Sequence, residues 1–254
     1  MNNIHTRCRL RQMLSMSPSS KNWQLQWKDP NRRRRAPRAA AVAGLVFSFL
    51  LIASLLLLRP SVPDSPLDAG QWLLKSSGRV AVAVNLLPFT GIAFLWFIAV
   101  LRERLGDRED RFFTTVFLGS GLLFLGMMFV AAAFVGGIVA AYNIGTDRLP
   151  GSITFTVARE FAYEATNLYA VRMAAVFTMA TSTLALLTGF VSRWIAFIGY
   201  AVAVALLSAG RTVDWIVLLF PIWVVLLSLH ILVDNFGVPP KVSGATLRRM
   251  ATLD

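Results

Sequence analysis

One cysteine, two histidines and thirteen acidic residues in a chain of 254 leave few ways to assemble a reactive centre. Cys8 stands alone, so no intramolecular disulfide and no thiolate metal cluster can form within the chain. His230 is the only histidine in the apolar part of the sequence. Asp234 follows it one turn later, but a metal site or proton relay wants more partners, and H-E-x-x-H does not occur. An interfacial hydrogen bond is the expected role of His230. The sequence also lacks a G-x-S-x-G elbow, a Walker A loop and a dinucleotide fingerprint. These absences weigh against an enzyme, and neither a metal nor a cofactor is expected.

Apolar residues are abundant instead. They make up 56% of the chain against 15% charged, and the mean hydropathy is +0.61. About 20 apolar residues at roughly 1.5 Å rise span a hydrocarbon layer near 30 Å thick. Runs that approach or exceed this length occupy about 39–58, 80–101, 112–142, 168–190, 194–208 and 213–233, the fifth being the shortest. The fold class expected is an all-α, polytopic membrane bundle of about six transmembrane helices. Residues 1–38 read as a basic, disordered cytoplasmic tail, 39–233 as the membrane domain and 234–254 as a short cytoplasmic carboxyl tail.

The net charge of +12 would suggest nucleic acid in a soluble protein. Here ten of the 25 Lys and Arg precede the first span, where cations hold a chain end in the cytoplasm against anionic lipid. With six crossings, eighteen Lys and Arg fall on the side of the tail and six on the other. Both termini are therefore expected to be cytoplasmic, in a bacterial plasma membrane, with the lipid bilayer as partner and no nucleic acid.

Two groups of residues stand out inside the spans. In the third, Gly119, Gly121 and Gly126 are followed by Ala132, Ala133, Gly136 and Gly137. Small residues four apart let helix backbones approach, and in lipid such packing holds helices together. Gly119, Gly126, Ala132, Ala133, Gly136 and Gly137 are read as helix-packing residues, within the bundle or at a seam to a homodimer or another membrane protein. The fourth span is the most polar and carries Arg172. An arginine at the bilayer centre costs about 2.5–3.5 kcal/mol, so it is either functional or snorkels to the interface. Ser152 begins a stretch without Gly or Pro, so this helix is expected to start outside the membrane. On an ideal α-helix Glu160, Glu164 and Asn167 share one face, with Arg172 rotated about 80° from Glu164. Asn85, Glu160, Glu164, Arg172 and Asp214 all fall in the outer half, where they would line an outward-facing ligand pocket or form a ring of interfacial ion pairs.

The stretch Asn85, Leu86, Leu87, Pro88, Phe89, Thr90, Gly91, Ile92, Ala93, Phe94, Leu95, Trp96, Phe97, with Phe117, Leu118, Gly119, Ser120, Gly121, Leu122, Leu123, Phe124, resembles a group of uncharacterised bacterial multi-span membrane proteins. The resemblance implies the membrane bundle and carries no activity or site residue. The function expected is that of a non-enzymatic accessory or assembly subunit acting through helix contacts. The alternative is a small-solute carrier or channel component using the polar groups near Arg172.

Overall fold

The computed structural model describes the backbone of residues 30–58, 71–105, 111–145, 152–189, 191–208 and 214–236, with side chains over 41–58, 76–103, 112–145, 152–189, 191–208 and 215–233. The tail before Pro30, the charged turn around Asp107, Arg211 and the carboxyl tail beyond Phe236 lie outside the described residues. Pro37–Asp254 forms one compact unit, to which the helices below belong apart from the first residues of α1.

Among the described residues the chain is all-α. Helix α1 runs Pro30–Leu58, α2 Gln71–Leu105 and α3 Arg111–Asn143. Next come α4, Ile153–Glu164, a π-helical segment, Ala165–Ala170, and α5, Val171–Thr188, joined without a break. Helix α6 is Arg193–Ser208, and a 3-10 segment, Asp214–Leu218, leads into α7, Leu219–Phe236. Among the described residues five stretches are long and apolar enough to cross a membrane: Ala41–Leu58, Ser76–Glu103, Phe112–Asn143, Ile153–Thr188 and Trp215–Val233. Helix α6 is a shorter apolar helix of 16 residues. Helix α1 opens at Pro30, a position where a missing N–H costs nothing, and its backbone takes in residues 32–35.

Local chemistry sets several ends. Ser152 caps α4, its hydroxyl accepting the Phe155 N–H at 3.2 Å. Gly189 ends α5 in the left-handed region at φ 67°, with its N–H on the Ala185 carbonyl. Pro221 lacks the N–H that would carry α-helical bonding upstream, and the turn before it tightens into the 3-10 segment.

Phenylalanines from five helices meet at the centre. Phe94 on α2 lies 4.5 Å from Phe47 of α1, 5.4 Å from Phe124 of α3, 5.3 Å from Phe177 of α5 and 6.1 Å from Phe220 of α7, ring centroid to ring centroid. All five are buried. From this layer α2, α3 and α5 reach the proximal end, where α1 enters, at similar distances. Helices α2 and α5 each end 11 residues past it, and α3 begins 13 before Phe124.

The distal end is stepped. Helix α1 stops 11 residues past Phe47, whereas α2 begins 23 before Phe94, α3 continues 19 past Phe124 and α4 begins 24 before Phe177. The limb leading into α7 begins only six residues before Phe220. The three long elements prolong the bundle around a second cluster of Val80, Ile138, Val139 and Phe155, with Phe134 stacked on Phe161 at 5.4 Å.

Candidate functional site

The polar candidates stand at different heights and on different flanks. At about 1.5 Å per residue, Arg172 lies roughly 7 Å above Phe177, and Asn85 about 13 Å above Phe94. Glu164 and Glu160 lie farther up, on the distal extension. Arg172 and Asn85 are exposed on the outside of the bundle, while Glu160 and Glu164 are half-buried. The backbone of Asp214 starts the 3-10 segment, and its side chain lies outside the described set. Arg172 and Asp214 share a similar height, and the two glutamates sit beyond them.

The π segment alters the angular relation expected from sequence. Its wider turn takes up about one extra residue, worth roughly 100° of rotation, and swings Arg172 back toward the Glu164 face. The two stay up to about 12 Å apart along the axis, beyond ion-pair reach.

Three of the hydroxyls that make the fourth span polar turn inward and bond to their own helix. Thr178, Thr181 and Ser182 are buried, and they donate to the carbonyls of Ala174, Phe177 and Thr178 at 2.8, 2.7 and 2.8 Å. Ser48 on α1 and Ser120 on α3 bond back to Gly44 and Val116 in the same manner. Such bonds mask the hydroxyl and leave a small side chain that neighbouring helices can approach. His230 accepts the backbone N–H of Ser192 at Nε2, 3.2 Å away, tying the α5–α6 connection to α7. Among the described residues no group of three His, Cys, Asp or Glu is placed to hold a metal ion.

The glycines divide into two sets. Gly44, Gly91, Gly121 and Gly199 sit where helices touch. A methyl at Gly44 would meet Ser228 and Phe97, at Gly91 Phe129 and Leu125, at Gly121 Ile98 and Phe177, and at Gly199 Ser182 and Trp223. In contrast Gly119, Gly126 and Gly137 of α3 have no neighbour within 4 Å of such a methyl. Gly136 meets Val84 at 3.4 Å, and Ala132 packs against the core, so these two face inward.

The open glycines belong to one stripe. Gly119, Gly126, Ala133 and Ala140 recur every seven residues, with Leu123, Val130 and Gly137 four residues after the first three, and Leu123, Val130, Ala133, Gly137 and Ala140 are exposed. A seven-residue repeat keeps one face of a helix on its partner in a left-handed supercoil. Leu123, Val130 and Ala140 were not singled out from sequence. The repeat itself was the signal, hidden by Gly121 and Gly136, which sit off the stripe.

No family model, no curated protein and no solved structure matches the chain.

Proposed function

We propose that the protein is a multi-pass component of a bacterial plasma membrane, with both termini cytoplasmic, and that it works as a non-enzymatic assembly subunit. Its docking face is the α3 stripe of Gly119, Gly126, Ala133, Gly137 and Ala140, which receives a helix of a second membrane protein or of a second copy. One observation carries the reading: among the described residues, a methyl at Gly119, Gly126 or Gly137 would meet no neighbour within 4 Å. A glycine inside a helix costs roughly 0.5–1 kcal/mol relative to alanine. At Gly44, Gly91, Gly121 and Gly199 close packing within the bundle offsets that cost. On α3 a partner helix supplies the equivalent contact.

The centre of the bundle favours this reading over a carrier. Phe47, Phe94, Phe124, Phe177 and Phe220 fill the axis at mid-height, where a solute path would need polar lining.

Cysteine cross-linking tests the docking face. In a Cys8→Ser background, single cysteines at Gly126 and Ala133 should give a cross-linked species of higher mass in native membranes, and one at the exposed Ile222 of α7 should not. Equal yields at all three positions would remove the proposal. Alkaline phosphatase and fluorescent-protein fusions at each terminus check the orientation, and a periplasmic signal from either end contradicts it.

A further inference from the structure

The flank that α6 presents is shorter than a bilayer is thick, 16 residues or about 24 Å. Ser192 of the α5–α6 connection pairs with His230, and Gly199 of α6 lies against Trp223. The second contact is seven residues further along one chain direction and seven back along the other, so α6 and the last span run antiparallel in steady register. Eight residues further on, Leu207 comes level with Trp215. Trp194 at the proximal end of this flank and Trp215 at the distal end are 79% and 51% exposed. Exposed tryptophans at helix ends sit at headgroup level. Thirteen residues of α6 separate their heights, about 20 Å, against roughly 30 Å of hydrocarbon. Between them α6 presents Phe197, Ile198 and Val204 outward.

Arg172 stands where this short flank ends. Thr183 of α5 shares a hydrogen bond of 2.6 Å with Tyr200 of α6. Arg172 is eleven residues, three turns, from Thr183, so it lies on the same face of α5, about 16 Å toward the distal end. Helix α6 continues only eight residues past Tyr200, about 12 Å, before it stops at Ser208. The exposed guanidinium therefore overhangs the blunt end of α6. Elsewhere at the distal end α2, α3 and α4 continue well past this height.

We propose that Arg172, beyond the distal end of α6, holds a lipid phosphate at a step in the distal membrane surface. A phospholipid headgroup of that leaflet is drawn inward to Arg172, and the bilayer is thinned along the α6 flank. Phosphate is the ligand because guanidinium binds its oxygens through paired charge-assisted N–H bonds. The lipid is its source because the site opens sideways beside apolar helix rather than into the bundle. The inference needs only that the chain spans a bilayer, whatever docks on α3.

Spin-label depth measurements on the full chain, with Cys8→Ser, in phosphatidylcholine vesicles test the step. A nitroxide at Leu207→Cys should show the nickel-chelate accessibility of a headgroup position. One at Phe89→Cys, five residues from the phenylalanine layer on α2, should show the oxygen accessibility of hydrocarbon. Matching hydrocarbon depths at both labels would overturn the proposal, with Arg172 intact throughout. Native mass spectrometry tests the ligand. Arg172→Gln should retain bound phospholipid roughly tenfold less well, as expected for loss of charged hydrogen bonds, and Arg172→Lys should keep most of it. Unchanged retention in Arg172→Gln refutes the site. Inorganic phosphate added to the detergent-solubilised protein should neither displace the lipid nor raise the unfolding temperature; if it does either, the group is a soluble-anion site and the lipid assignment is wrong.

Discussion

The hydroxyl of Ser182 on α5 rests against Gly199 on α6, at a point where even a methyl group has no room. The same pairing recurs where Ser228 of α7 meets Gly44 of α1. In both, a glycine lets a neighbouring helix bring a serine onto its backbone, a contact suited to weak Cα–H···O interaction. These two crossings join four of the helices.

Gly199→Ala is therefore expected to destabilise the bundle by about 1–3 kcal/mol through overpacking, although alanine is the better helix former. Thermal unfolding in detergent measures the loss. The double variant Gly199→Ala with Ser182→Ala should recover part of it, because it removes the overlapping hydroxyl; no recovery would place the strain elsewhere.

Phe94→Ala should be the most damaging single truncation in the bundle. Its ring touches phenylalanines from four other helices, and deleting a buried phenylalanine side chain costs about 3–5 kcal/mol. Phe89→Ala, five residues away on the exposed side of α2, serves as the control and should leave the unfolding midpoint nearly unchanged.

Ser152→Ala removes the cap of α4 and should cost about 0.5–2 kcal/mol. The effect is expected to be local. Faster amide exchange should appear at Phe155 and its neighbours, with exchange at the Phe177 level unaltered.

His230→Ala takes away the acceptor for the Ser192 N–H, a bond worth about 0.5–1.5 kcal/mol. Exchange at Ser192 should rise while the core of α7 stays protected. Protection of that amide unchanged by the substitution would show that the link contributes little.

Much of the architecture was legible from length and hydropathy. The long helices followed from backbone requirements in an apolar solvent, and the start of α4 at Ser152 from the stretch without Gly or Pro that it opens. The polar candidates were less legible, because hydropathy reports depth along a helix but not which side of it a residue occupies. Thr178, Thr181 and Ser182 make the fourth span polar by composition, yet they are packing residues bonded to their own helix. Arg172 could not be oriented by counting 100° per residue, since the π segment before it changes the count.

By itself the amino-acid sequence determined that this chain is helical and suited to lipid, since backbone N–H and C=O groups in runs of this length need local partners wherever water is scarce. Only the tertiary structure decided which small residues are occupied and which are open. Gly121 and Gly126 are the same residue on the same helix, yet one is pressed by Phe177 and Ile98 and the other faces outward. It also decided that the helices end at unequal heights, because height depends on which residues meet in the central layer, and that pairing is a property of the packed rings rather than of any single span.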